Sequence, residues 1–146
     1  MSATPSAGFG SFRRSFRPEL GAAAAARRNL EDLCADVGDD DLLDRGCLAL
    51  TEAVTNSVTH ARLRPSQLID VEFALRAALL RIEVADDGIG FPPPATSPDR
   101  GSFGGGGWGL WMIDQLTDRW GVDFRCSTLV WLEFDRAEPG ALPQSD

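Results

Sequence analysis

At 146 residues, with 43% apolar and 25% charged residues, the chain has the size and make-up of one globular domain, able to bury roughly two-thirds of the surface it exposes when unfolded. A formal net charge of −8 argues against a broad electrostatic grip on nucleic acid, because neutralising phosphates takes a basic face. All 14 basic residues are arginine, so a P-loop and a lysine Schiff base are excluded, and any phosphate must be handled by backbone amides, arginine or a metal.

Residues 1–11 are small and rich in Gly, Ser and Pro, and are expected to be disordered. Phe12–Phe16 alternates weakly as a short strand, and Pro18 then suits the first position of a helix. That helix is expected over 18–37, carried by a five-alanine run followed by Leu30, Cys34 and Val37. Asp39, Asp40 and Asp41 offer an N-cap and first-turn acids for a second helix over about 40–61, ending before Pro65. Ile69–Phe73 and Leu79–Val84 alternate as strands and join most simply as an antiparallel hairpin around Arg76–Ala78. Residues 91–107 form a long loop without periodicity, a length that inside a domain usually marks function or disorder. Leu110–Leu116 has helical spacing, and Trp120–Arg125 and Thr128–Asp135 complete the order as strands. The sequence thus reads as an α+β two-layer sandwich with a mixed or antiparallel sheet, spanning 12–136, with a loose tail over 137–146.

Cys34, Cys47 and Cys126 are an odd, widely spaced set without a CxxC pair, so they read as small buried hydrophobes in a reducing compartment. His60 is the single histidine and cannot build a histidine-rich metal site by itself. No apolar run approaches the ~18 residues of a membrane span, and the N-terminus lacks the apolar stretch of a secretory signal. A cytoplasmic location is expected.

Three clusters carry candidate chemistry. On the second helix, Leu43, Cys47, Leu50, Val54 and Val58 form an apolar stripe; Glu52 falls about 180° and Asn56 about 220° from Leu43. Glu52, Asn56 and His60 follow one another at four-residue spacing as a polar ridge. A wet face opposite a core stripe is the plain reading of such a ridge. A carboxylate one turn from a carboxamide also suits a metal–phosphate site, since the amide oxygen is a hard ligand and the carboxylate can take a proton. The second cluster is Asp86-Asp87-Gly88-Ile89-Gly90, where glycines permit close approach of a ligand and Asp86, at a strand end, can accept from an exocyclic amine. An ordinary Asp-Gly turn is the alternative. The third is Gly104–Gly107, followed by Trp108, Gly109 and Leu110 at the opening of a helix, where free amides and the helix dipole favour an anion. Gly104, Gly106 and Gly109 also match G-x-G-x-x-G, but no strand precedes them, which rejects a dinucleotide-binding fingerprint.

Taken in order, Glu-x-x-x-Asn-x-x-x-His, Asp-x-Gly-x-Gly, a long loop and Gly-x-Gly-Leu resemble the N, G1 and G2 boxes of the Bergerat-fold (GHKL) ATPases, the histidine kinase-like ATPase superfamily. The phrases Leu50–Asn56, Asp87–Phe91, Leu116–Gly121 and Thr128–Trp131 make the chain look closest to the bacterial anti-sigma factor serine/threonine kinases. The resemblance implies helices on one face of the sheet, and ATP and Mg²⁺ as ligands. It implies that Asp86 accepts from the adenine amino group, that Thr128 lines the adenine pocket through water, and that Gly88 and Gly90 shape its wall. It makes residues 91–106 an ATP lid with Arg100 as a phosphate clamp. Gly107 and Gly109 would give amides to the phosphates beside Trp108 and Leu110. Asn56 would hold Mg²⁺ and Glu52 would be the base. Relatives sequester a sigma factor and phosphorylate a serine of a small anti-sigma antagonist protein; they often form homodimers, and neither direct nucleic-acid nor membrane binding is implied. Two departures stand out: Trp108 lies where relatives often carry a basic residue, and Ser127 where a glycine commonly precedes the strand threonine. The alternatives are an ATP-binding regulator that works by sequestration alone and a detached histidine-kinase catalytic domain.

Overall fold

The computed structural model describes residues 10–60, 63–88, 108–124 and 127–137. Eight elements follow in order: β1 (Gly10–Phe16), α1 (Ala22–Leu33), α2 (Asp40–His60), β2 (Ile69–Leu75), β3 (Leu79–Asp86), α3 (Trp108–Leu116), β4 (Arg119–Phe124) and β5 (Thr128–Asp135). The strands form one sheet in the order β1-β2-β3-β5-β4, and every pairing is antiparallel. The helices pack on one face of it, so the two-layer α+β architecture expected from the alternation of strands and paired helices is the one observed.

Alternation sets which face is buried. Ile69, Val71, Phe73 and Leu75 of β2, Leu80, Ile82 and Val84 of β3, and Val130, Leu132 and Phe134 of β5 point into the core. Phe12 of β1 continues this face by stacking on Phe73 at 5.0 Å between ring centroids. Gly10 and Ser11 were expected to lie in a disordered segment; instead they begin β1, opposite Leu75 and Ala74. A long partner strand extends the ladder past the residues whose side chains advertise it.

α1 is shorter than its alanine-rich sequence predicts. Pro18 sits in a turn and not at a helix start: the Glu19 amide donates to the Arg17 carbonyl and the Ala22 amide to the Glu19 carbonyl, and the helix opens only after Gly21. At the other end the helix stops at Leu33 with Cys34 as its cap, residues 34–37 form a turn, and Gly38 after them adopts φ +73°, a left-handed conformation that favours glycine. Ala22, Ala23, Ala26 and Leu30 are the buried face. Asp39 then caps α2 as expected, its carboxylate accepting from the Leu42 amide at 2.9 Å, with Asp40 and Asp41 in the first turn.

The buried stripe of α2 differs from the one read on a helical wheel. Leu42, Gly46, Ala49, Leu50, Ala53 and Val54 are buried, whereas Leu43, Cys47 and Val58 are half-buried at its margin. The wheel followed the large apolar side chains, while packing brings the small ones to the interface because they let the helix approach closely. A Cβ at Gly46 would come within 3.1 Å of Leu30 Cδ2, tighter than an ordinary contact, and 3.6 Å of Leu80 Cδ2, an ordinary one, so glycine eases the approach of α2 to α1. This rotation carries Asn56 and Ser57 onto the buried arc.

Arg45 of α2 fastens the far side of the helical layer, donating to the Leu116 carbonyl at the end of α3 and lying 5.7 Å from the Phe134 ring centroid. The cysteines Cys34 and Cys47 are free, and burial pushes the Cys34 thiol up to about 11. Cys126 and the tail beyond Ala137 lie outside the described residues. Among the described residues no helix is long and apolar enough to cross a membrane.

The opposite face of the sheet is an ionic lattice. Arg81 pairs with Glu83 and with Glu133 of the neighbouring strand, and Arg119 pairs with Glu133 and Asp135. The hydrogen bond from Arg119 holds both the Glu133 and Asp135 carboxyls below the usual carboxylate range. Within the lattice the Trp131 indole rests against Gly121 of β4, with the Arg81 guanidinium 5.1 Å from its centroid. A Cβ at Gly121 would lie 2.6 Å from the ring, so the indole occupies the space a side chain would need.

Two outcomes follow from this face. Gly121→Ala should destabilise the fold by about 1–3 kcal/mol through overpacking against a rigid ring, and much less in a Trp131→Leu background; urea denaturation of the two single variants and the double variant measures this. Because the folded-state proton affinities of Glu133 and Asp135 are depressed, their stabilisation is complete above the unfolded carboxylate range of about 4 and is lost as pH falls below it. Glu133→Gln should therefore flatten the acid limb of a stability-against-pH curve, with little change in its shape above about pH 6.

Candidate functional site

Burying a polar side chain costs free energy unless it is hydrogen-bonded, so where such residues gather is informative. Among the described residues, the buried polar side chains are Asn56, Ser57, Asp86 and Thr128, between 3% and 7% exposed. They come from three elements, α2, β3 and β5.

Asp86 is the last residue of β3 and stands directly opposite Thr128, the first residue of β5. Both continue the inward alternation that places Val84 and Val130 in the core, so the sheet face changes from apolar to polar at this end. The Ser57 hydroxyl, on α2, donates to Asp86 Oδ2 at 2.7 Å. The Gly88 amide donates to Asp86 Oδ1 at 2.9 Å, which turns the chain sharply after the strand. Each carboxylate oxygen thus has one protein donor. A carboxylate offers roughly four acceptor sites, so about two remain for an incoming donor.

Asn56 precedes Ser57 on α2 and is buried, not on a wet face as the helical wheel had it. Glu52, one turn earlier, is half-buried. Its neighbour Thr51 returns its hydroxyl to the Cys47 carbonyl at 2.7 Å and accepts from Arg27 of α1 at 2.9 Å. Carboxamide and carboxylate therefore lie on the same segment of α2, beside the residue that bonds Asp86. Among the described residues no cluster of three His, Cys, Asp or Glu side chains could hold a metal. A site relying on one protein oxygen plus phosphate oxygens fits that donor set, as Mg²⁺ commonly takes few protein ligands.

The remaining expected site residues divide in two. Trp108, Gly109 and Leu110 open α3, and Leu110 is buried in the core with Ile113. Gly90, Arg100, Gly107 and the rest of residues 91–106 lie outside the described residues, as does the side chain of His60. Ser57 was missed by sequence reasoning. Its signal was present: in a helix where Asn56 drew attention, Ser57 lies one position on, within the arc centred on Ala53 that the small residues mark as buried.

A family model described as the histidine kinase-like ATPase domain matches residues 16–131. Among solved structures, the chain is similar to the RsbU and RsbW domains of Rv1364c from Mycobacterium tuberculosis, with a TM-score of 0.67 and 21% identity over 91% of this chain and 35% of that one. It is also similar to the histidine kinase domain of the blue-light activated histidine kinase of Erythrobacter litoralis EL346, with a TM-score of 0.53 and 18% identity over 78% of this chain and 59% of that one. The chain therefore spans about a third of the first protein's length and about three-fifths of the second's. No curated protein matches the sequence significantly. At these identities the likeness to the two structures shows the shared fold.

Proposed function

Because the chain belongs to the histidine kinase-like ATPase domain family, we propose that it is an Mg²⁺- and ATP-dependent anti-sigma regulatory factor, a serine/threonine kinase that phosphorylates an antagonist protein and sequesters a sigma factor. The observation that carries the nucleotide part of this reading is the buried carboxylate of Asp86, facing Thr128 and tied to α2 beside Asn56. A purine amino group is a donor, and Asp86 has acceptor capacity left after its two protein donors.

In this reading Asp86 accepts from the adenine amino group, Thr128 completes the base pocket through water, and Gly88 with Gly90 forms its wall. Asn56 supplies the protein oxygen for Mg²⁺, which when bound neutralises phosphate charge. Gly107 and Gly109 give backbone amides to the phosphates beside Trp108 and Leu110, and Arg100 clamps them from the lid. Glu52 takes the proton of the attacking serine hydroxyl as its oxygen bonds the γ-phosphorus; the bond to the β-phosphate oxygen breaks and ADP leaves. Phosphoryl transfer asks mainly for positioning and charge stabilisation, so this sparse set is chemically sufficient.

Asp86→Asn tests the base contact directly. The variant keeps one acceptor oxygen but turns an NH₂ toward a donor, because Ser57 and Gly88 already donate to both carboxylate oxygens. ATP affinity, measured by calorimetric titration with and without Mg²⁺, should fall by about tenfold or more; unchanged affinity would remove Asp86 from the site. Glu52→Ala should retain ATP binding and lose about 10²–10⁴-fold in transfer of labelled γ-phosphate to serine of a copurifying protein. Transfer at the wild-type rate would remove Glu52 as the base.

A second reading, ATP binding with sequestration and no phosphotransfer, is favoured by Trp108 standing in the place of a charge-assisted phosphate contact. Mg²⁺-dependent binding without label transfer to any copurifying protein would select it.

A further inference from the structure

Hydroxyls inside helices usually return to their own helix by donating to the carbonyl four residues earlier. Thr51 does this here, donating to the Cys47 carbonyl at 2.7 Å, and Thr117, one residue past α3, likewise donates to the Ile113 carbonyl at 2.8 Å. Ser57 does not: at 3% exposure it donates across the helix–sheet interface to Asp86 Oδ2 at 2.7 Å. We propose that Ser57 is a positioning residue for nucleobase recognition, which acts on a bound purine only through the Asp86 carboxylate. The inference rests on the reading of Asp86 as the adenine acceptor and adds to it the residue that sets base selectivity.

A carboxylate at the end of a strand can turn about its last side-chain bond, and this torsion is broad when nothing holds it. Gly88 N–H holds one oxygen, and Ser57 O–H holds the other. Together the two donors fix the carboxylate plane, and with it the directions of the lone pairs left for a ligand. Two fixed acceptor directions select a base edge that presents a donor. An exocyclic amine satisfies them, whereas a carbonyl oxygen in the same place meets lone pairs with lone pairs. Without the Ser57 hydroxyl, the Gly88 amide alone leaves the plane free to turn, so the contact with the amine weakens while contacts elsewhere on the nucleotide do not.

The experiment uses the full chain with ATP and inosine triphosphate, which differ only on one edge of the base, where the exocyclic amine is replaced by a carbonyl and the adjacent ring nitrogen N1 gains a hydrogen. Titrations are run on wild type, Ser57→Ala and the near-isosteric Ser57→Cys, with thermal denaturation to confirm that each is folded. Wild type is expected to prefer ATP by tenfold or more. Ser57→Ala should lower that preference about fivefold or more through a loss in ATP affinity, with affinity for inosine triphosphate changing less than twofold; Ser57→Cys, a weaker donor, should fall between. Equal weakening for both nucleotides would make Ser57 merely structural and overturn the inference, as would a preference unchanged in both variants. A wild type that binds ATP and inosine triphosphate equally would sink the assignment of Asp86 itself, a result distinct from wild-type preference that survives in the variants.

Discussion

The hydrogen bond from Ser57 to Asp86 is a buried point where the two layers of this protein meet through polar atoms. Elsewhere in the core the helices lie on the sheet through Leu, Ile, Val, Ala and Phe, contacts that are strong in sum but carry no direction, while an exposed bond from Trp120 Nε1 to Asp114 Oδ1 at 2.9 Å links α3 to β4 at the edge. A buried hydroxyl and a buried carboxylate are different: each is costly unless its partner stands where it must. That constraint fixes α2 against the ends of β3 and β5, and those ends are where the alternation of the sheet turns from Val84 and Val130 to Asp86 and Thr128. The candidate site is thus the boundary of the core, where packing gives way to directed bonds.

The close approach that makes this possible comes from small residues. Gly46, Ala49 and Ala53 on α2, with Ala22, Ala23 and Ala26 on α1, let the helical layer settle deeply onto the sheet. On the other face the same economy of volume appears once, where Gly121 receives the indole of Trp131. The outer face otherwise holds its charges in pairs, with Arg81 of β3 and Arg119 of β4 both bridging to Glu133 of β5.

Much of the architecture was legible in the sequence because strands and capped helices write local signals. The β2–β3 hairpin, the Asp39 cap and the terminal strand pair follow from alternation and capping alone. The start of α1 did not, because Pro18 suits a turn as well as a first helical turn, and its end falls at Leu33 because residues 34–37 form a turn ahead of Gly38. The face of α2 was misjudged by one residue because the wheel weighted volume, whereas the interface selected smallness; the wheel thus put Asn56, read as a metal ligand, opposite the core stripe, and it is buried. Asp86 was legible as an acceptor at a strand end, but its partner was not. Ser57 is 29 positions away, and nothing local in either segment announces that they meet.

A crystal structure of the full chain with Mg²⁺ and a non-hydrolysable ATP analogue tests the central claim most directly. The account predicts the adenine amino nitrogen at about 3 Å from Asp86, opposite Thr128, with the Asn56 carboxamide oxygen at the metal. A nucleotide seated elsewhere on the molecule, with Asp86 still bonded only to Ser57 and Gly88, would contradict it.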